Sequence, residues 1–247
     1  MQDFTGQKPL DYYSSVSMGD VPGQEAQSVL GTNPNVSATE EDLWDVGGSL
    51  VYPTAAETWE IVSDNTADTS AGTGARTVLV QCLDDEYNEL DEILTLNGTT
   101  PVTFVGTDAF RFRRALVLTA GSGNINAGNI TIRVASAGAN RGRVLAGNGN
   151  SLDGHYTVPA GKTAFLVFVY SNINKNDDGE VMLKSTLGDA GIFSIRFPLS
   201  LYQNSVVSPV SLAPSFPEKS DLNLVATATD GDAKISVALQ FIVRDNA

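Results

Sequence analysis

The sequence predicts an all-β protein: an antiparallel β-sandwich or jelly-roll-like domain preceded by an extended N-terminal arm. Three observations carry this expectation. Short β-rich segments follow one another from Leu43 onward, separated by clusters of Gly, Asn, Asp, Ser and Pro, which is the spacing of a sandwich or barrel. Several segments alternate apolar and polar residues, the period of a strand with one face in a core. No stretch sustains a helical period, and Ala55-Ala56-Glu57 starts one turn at most.

Residues 1–42 differ from the rest. They scatter Gly, Pro, Ser and Gln without a period of 2 or 3.6, which predicts an extended arm with little structure of its own. Between Met1 and Asp45 eight acids (Asp3, Asp11, Asp20, Glu25, Glu40, Glu41, Asp42, Asp45) face one base, Lys8, so half of the chain's net charge of −14 lies there. Such a segment is either a solvated terminus or an arm that orders on an adjacent subunit. Tyr12, Tyr13, Val16, Val29, Leu30 and Trp44 are the apolar anchors the second reading needs.

Residues 43–247 form the expected sandwich. A first group of strands is read at Ser49–Tyr52, Thr58–Val62, Thr77–Leu83, Glu89–Leu96, Phe110–Leu118 and Ile130–Ala135. In Phe110-Arg111-Phe112-Arg113 alternation sends both phenylalanines inward and both arginines outward. A second group, after the polar Gly147-Asn148-Gly149-Asn150 turn, covers Tyr156–Val158, Thr163–Tyr170, Glu180–Ser185, Ile192–Tyr202, Asp221–Thr229 and Lys234–Arg244. Ala164–Tyr170 is apolar on both faces and reads as a central, covered strand. The chain is two small sandwiches or one interleaved jelly roll. A single domain is preferred, with a possible subdivision at residues 138–151, read as a loop.

Composition narrows the function classes. A hydrophobic share of 42% supports a core, and a net charge of −14 argues against holding nucleic acid by its phosphates. No apolar run approaches the roughly 18 residues that span a membrane, and Met1-Gln2-Asp3-Phe4 lacks a signal peptide's basic and apolar regions. Neither nucleic acid nor a membrane is expected as a partner. The protein is expected to be made in the cytoplasm and to stay soluble until it meets one. Cys82, the single cysteine, permits no intramolecular disulfide and reads as a small buried hydrophobe.

The catalytic inventory is poor. His155, the only histidine, lies beside Tyr156 and before a Pro-Ala-Gly turn. It lacks the positioned partner of an acid–base site and the further ligands of a zinc site, and is expected at the surface or stabilising that turn. There is no Gly-x-Ser-x-Gly elbow and no His-Glu-x-x-His. Two acidic stretches could hold calcium: Asp84, Asp85, Glu86, Glu89, Asp91 and Glu92, and Asn174, Asn176, Asp177, Asp178 and Glu180 around Gly179. Alternation would split the first between two faces, and the second lacks EF-hand spacing, so solvated hairpin tips are preferred. No enzyme activity, cofactor or metal is expected.

The arginines are more suggestive. Arg111, Arg113, Arg114, Arg133, Arg141 and Arg143 lie between Gly106 and Gly147 with only Asp108 opposing them. They form either a basic face for a partner, through bidentate pairing with carboxylates, or internal ion pairs with the Asp84–Glu92 hairpin. The candidate partner-binding set is Tyr12, Tyr13, Trp44, Arg111, Arg113, Arg114, Arg141 and Arg143.

Thr73-Gly74-Ala75-Arg76-Thr77-Val78-Leu79-Val80 leads through a polar Asp84-Asp85-Glu86-Tyr87-Asn88 turn to Leu96-Asn97-Gly98-Thr99-Thr100-Pro101-Val102. Leu118-Thr119-Ala120-Gly121-Ser122-Gly123-Asn124 and Ala127-Gly128-Asn129-Ile130-Thr131-Ile132-Arg133 follow. This series resembles a pattern of virion structural proteins of tailed bacteriophages, over about residues 43–133 and more weakly at Tyr156–Thr163 and Phe216–Asp221. The resemblance implies a non-enzymatic particle component. The favoured expectation is a capsid decoration or cement protein on the outside of the head. Its partners would be the major capsid protein and itself, as a homotrimer, with the arm lacing neighbours together. A head fibre, a collar or neck protein and a tail component are the alternatives. A carbohydrate-binding sandwich is a third class, which would need Trp44, Trp59, Tyr87 and Tyr202 to cluster at the surface.

Overall fold

The computed structural model describes residues 11–174, 178–202, 206–209 and 213–246. Its elements are α1 (Tyr12–Ser17), β1 (Gln24–Val36), β2 (Glu41–Asp42), β3 (Trp59–Ser63), β4 (Ala75–Leu83), β5 (Glu89–Thr95), β6 (Val102–Thr103), β7 (Arg111–Ala120), β8 (Ile130–Val134) and β9 (Asn140–Val144). Then come β10 (His155–Thr157), β11 (Lys162–Ile173), β12 (Asp178–Ser185), β13 (Ser194–Tyr202), β14 (Val206–Pro209), β15 (Ser215–Phe216), β16 (Asp221–Ala228) and β17 (Ala233–Asp245). The chain is all-β and antiparallel, as its alternation predicts.

The strands form two sandwiches, each with its own core. In the first, β1-β17-β11-β14, with β15 also on β11, faces β10-β16-β12-β13, with β2 on β16. Ile235, Val237, Leu239, Phe241 and Val243 of β17 supply one wall of its core, and Leu183, Leu222 and Leu224 supply the other. In the second, β6-β3-β8-β9 faces β5-β4-β7, enclosing Trp59, Val78, Val80, Phe112, Ile130 and Ile132. The second sandwich is inserted between β2 and β10, so the first is built from both ends of the chain.

The expected arm ends early. Gln24–Val36 is a thirteen-residue strand paired along β17, from Gln24 opposite Arg244 to Val36 opposite Ala233. Its Gly31, Asn33, Pro34 and Asn35 read as turn residues, and its partner lies at the far end of the sequence, so local pattern conceals it. Gly31 also permits a close approach: a Cβ there would lie 2.7 Å from Gly154 Cα and 2.9 Å from the Leu43 carbonyl oxygen. Here β1 meets the chain entering β10, and the two sheets of the first sandwich come together. Before it, Asp11 caps α1 by accepting from Ser14 N at 2.9 Å.

Two further expectations change. Ser49–Tyr52 is not a strand; its Val51 carbonyl accepts from Arg141, and the Pro53 carbonyl just beyond it from Arg111. Residues 138–151, read as a loop, contain β9, which pairs with β8. The β8–β9 turn uses Ser136 and Ala137 at φ 65° and 59°, conformations that Asn and Gly usually supply. Glu60 holds that turn by accepting from Ser136 N at 3.1 Å and Ala137 N at 3.2 Å.

Candidate functional site

Three of the four stretches that resemble phage virion proteins meet at one buried aspartate, and the fourth is tied to the first, Gly121 N and Gly123 N donating to the Gly74 and Thr73 carbonyls at 2.8 Å. Asp68, fully buried, accepts from Ala75 N at 2.7 Å and Ala127 N at 2.8 Å through Oδ1, and from Gly128 N at 2.8 Å and Ser63 Oγ at 2.6 Å through Oδ2. Its carbonyl accepts from Gly98 N at 2.7 Å. The backbone at Ala75 and Gly128 is thereby tied to one side chain, and that at Gly98 to the main chain of the same residue. The glycines are steric requirements: a Cβ on Gly74 would lie 2.1 Å from Asp68 Oδ1, and one on Gly128 2.3 Å from Asp64 Oδ1. A buried carboxylate that accepts several N–H groups is a charge-assisted clamp, and here it closes one end of the second sandwich.

Arg111 and Arg113, expected to face solvent, are buried instead, because the side of β7 they occupy meets the first sandwich. Arg111 forms a bidentate pair with Asp221 of the first sandwich (Nε–Oδ1 2.9 Å, Nη2–Oδ2 3.1 Å) and donates Nη1 to the Pro53 carbonyl at 2.8 Å. Its guanidinium lies 3.8 Å from the Phe110 ring centroid. Thr157 Oγ1 donates to Asp221 at 2.6 Å. Arg113 pairs with Glu89 at 2.5 Å, and Glu89 is 3.6 Å from Lys162 of β11. Arg141 grips Glu57 through Nε at 2.7 Å and Nη2 at 2.6 Å, and donates Nη1 to the Val51 carbonyl at 2.8 Å. Arg133 pairs with Glu60 at 2.7 Å. The internal reading therefore holds for these four, although only Glu89 comes from the Asp84–Glu92 hairpin. Arg111 and Arg113 pin the two sandwiches together.

Trp44 is also internal. Its Nε1 donates to the Gly47 carbonyl at 2.9 Å, and its ring meets His155 edge-on at 6.3 Å. His155 is buried between Trp44 and Phe112, not at the surface, because it opens β10 against the second sandwich. Burial pushes its pKa down to about 4, so the ring is neutral near pH 7. Beside it Asp45 and Asp153 form a buried acidic pair. Asp153 accepts from Asp45 N and Arg143 N, each at 3.4 Å, and Asp45 Oδ2 accepts from Leu152 N at 3.2 Å. Burial and then the Asp45 charge push Asp153 up to about 8, and burial pushes Asp45 up to about 6. Arg143 stands near Asp45, and Arg114 lines a small cleft with Asp153; both are half-buried. Local pattern carries no sign of the acidic pair, whose members come from distant segments.

Of the candidate partner-binding residues, Tyr12 and Tyr13 are exposed on α1. Trp44, Trp59 and Tyr87 are buried in separate places while Tyr202 is exposed, so no aromatic platform for a sugar forms. Asp84, Asp85 and Glu86 lie close enough to share an ion, but Asp84 Oδ1 already accepts from Glu86 N at 3.0 Å and Asn88 N at 2.8 Å. That geometry is an Asx turn. Asn176 and Asp177 of the second calcium candidate lie outside the described residues. Cys82 is buried against the Leu90 carbonyl, with its thiol pushed up to about 12 by burial, an unreactive side chain as expected.

No family model matches the chain, and no curated protein matches it. Among solved structures the chain is similar to the STIV MCP, at 9% identity and a TM-score of 0.22 over 87% of this chain and 96% of that one. It is also similar to infectious bursal disease virus Gt strain, at 9% identity and a TM-score of 0.19 over 96% and 83%. The VP2 subviral particle of the same virus gives 9% identity and a TM-score of 0.16 over 96% and 86%. Likenesses this weak carry no argument about function, which rests on the chain's own residues.

Proposed function

We propose that this chain is a non-enzymatic structural protein of a virus particle, and within that class a capsid decoration or cement protein on the outer surface of the head. The observation that carries the reading is the convergence on Asp68. The residues that resemble phage virion proteins do not surround a reactive group; they close a sandwich through backbone donors and glycines that admit no side chain. What the resemblance shares is architecture, and architecture is what a particle component contributes. Arg111, Arg113 and the histidine, which an active site would recruit, lie where the two sandwiches join, and Arg133 and Arg141 are held in ion pairs with Glu60 and Glu57.

Major capsid protein and further copies of this chain are the partners of this reading, with a homotrimer as the assembly. The acidic surface suits a docking partner with a basic rim. Incubating purified, undecorated heads with the recombinant protein tests it. Saturable binding at lattice stoichiometry, accompanied by a raised head-melting temperature, is the expected result. Heads that bind nothing would remove the decoration reading, and localisation to a neck or tail would select the alternative virion positions.

A further inference from the structure

The chain passes between the sandwiches twice. Residues 43–58 lead from β2 to β3, and residues 145–154 lead from β9 back to β10. The two crossings are bonded to each other beside the first sandwich. Gly154 N donates to the Leu43 carbonyl at 2.7 Å, and β16 holds both, through Leu43 N on the Leu224 carbonyl at 2.9 Å and Leu224 N on the Gly154 carbonyl at 2.8 Å. Next to this contact each crossing offers the other an aspartate. Asp45 N donates to Asp153 Oδ1 at 3.4 Å, and Leu152 N donates to Asp45 Oδ2 at 3.2 Å. The exchange is reciprocal, a carboxylate from each crossing for an amide of the other.

The charge at this exchange is not neutralised. Asp45 and Asp153 are only 5% and 3% exposed, and Asp45 Oδ1 has no hydrogen-bond partner. Arg143 of β9 and Lys234 of β17 act on Asp45 from a distance, and Arg113 and Arg114 of β7 share a small cleft with Asp153. Among the described residues none of these cations forms an ion pair with either aspartate; Arg113 is held by Glu89. On the other sides lie neutral groups: Gln27 and Ser28 of β1, and the uncharged ring of His155 at the start of β10. Asp42 of β2 is taken up by Asn223, which donates to it at 2.6 Å. Two carboxylates buried together without an ion pair are too costly to ionise at once, so the pair retains a proton.

We propose that Asp45 and Asp153 form a proton-dependent clasp between the two crossings, which holds them together while the pair keeps a proton and lets them part once both carboxylates are ionised. The Arg111–Asp221 and Arg113–Glu89 pairs still join the sandwiches when it opens, so release loosens the crossings without unfolding either core. The clasp is a property of the fold and stands independently of the virion reading. Its sign follows from proton counting. Between the two folded values, about 6 and about 8, the closed pair keeps one proton, whereas carboxylates released to water keep none. Opening therefore becomes about tenfold easier per pH unit in that window and is level above it.

Hydrogen-exchange mass spectrometry on the full chain from pH 6 to 9, corrected for the intrinsic exchange rate at each pH, tests the clasp. Residues 43–46 and 150–154 are expected to be less protected than β17 at every pH, and to lose about tenfold in protection per unit up to pH 8 and little beyond. Asp153→Asn removes the second charge and is expected to keep protection level between pH 6 and 8. Asp45→Asn serves if that variant does not fold: its amide nitrogen takes the place of the unpartnered Oδ1, and a slope shallower than wild type is expected. Crossings whose protection ignores pH overturn the proposal. So do crossings that exchange only as fast as β17, which open with the whole fold, and asparagine variants that keep the wild-type slope.

Discussion

At the level of single residues, the join between the sandwiches is where titratable groups have been taken out of water. Asp45 and Asp153 have folded pKa values raised to about 6 and about 8. Groups raised in this way contribute stability below the unfolded carboxylate range that is lost as pH rises through the folded values. The melting temperature is therefore expected to fall as pH rises from 6 through 8. Asp153→Asn should flatten that fall, because the amide keeps the shape without the second charge; an unchanged slope in a thermal-melt series would show that the pair does not set it. His155 works in the opposite direction. Its folded pKa of about 4 lies below the free imidazole value, so the unfolded chain takes up a proton that the folded chain refuses. Its contribution is lost as pH falls from about 6.5 through 4, opposing the gain from the carboxylate pair over that range. His155→Phe, filling the space between Trp44 and Phe112, should therefore steepen the gain in melting temperature on acidification in the same series.

Arg111 and Asp221 make the sharpest test of the join. Both side chains are buried, so Arg111→Ala strands a carboxylate and is expected to cost about 3–5 kcal/mol in urea unfolding. Arg111→Met/Asp221→Leu should cost less than Arg111→Ala alone, since it leaves no buried charge unpaired. A double variant as damaged as the single one would mean that packing around Phe110, not the ion pair, holds this position.

Among the elements, long apolar strands were legible and the exceptions have physical reasons. β17 and β11 carry their own alternation or continuous apolar runs, and every large inward side chain of β17 lies in the core. β1 carries no such signal because β17, across the whole length of the chain, supplies its register. β9 was hidden by a Ser136-Ala137 turn that Glu60 stabilises from another strand. Arg111 defeated the alternation rule because its outward face meets the first sandwich, not solvent. The Asp68 glycines were visible as a motif, but their shared carboxylate was not, since contact across sixty residues is a property of the fold. The strand status of Gln24–Val36 gives a direct prediction. Truncation before Gln24 should leave a cooperatively folding protein, whereas removing residues 1–36 should abolish the cooperative transition by exposing β17. A sharp melt from the longer deletion would mean that β1 is dispensable.

For the whole molecule, a chain of net charge −14 is folded into two cores joined by a buried polar seam. The seam fixes the angle between sandwiches, which a lattice component must hold constant if many copies are to repeat the same contacts. The most direct test of the proposed virion role is quantitative mass spectrometry of purified virus particles from the source of this sequence, calibrated against the major capsid protein. The account predicts hundreds of copies per particle, in fixed ratio to the capsid lattice. A dozen or so copies would place the protein at a neck or tail and contradict head decoration. Absence from the particle would contradict the virion assignment itself.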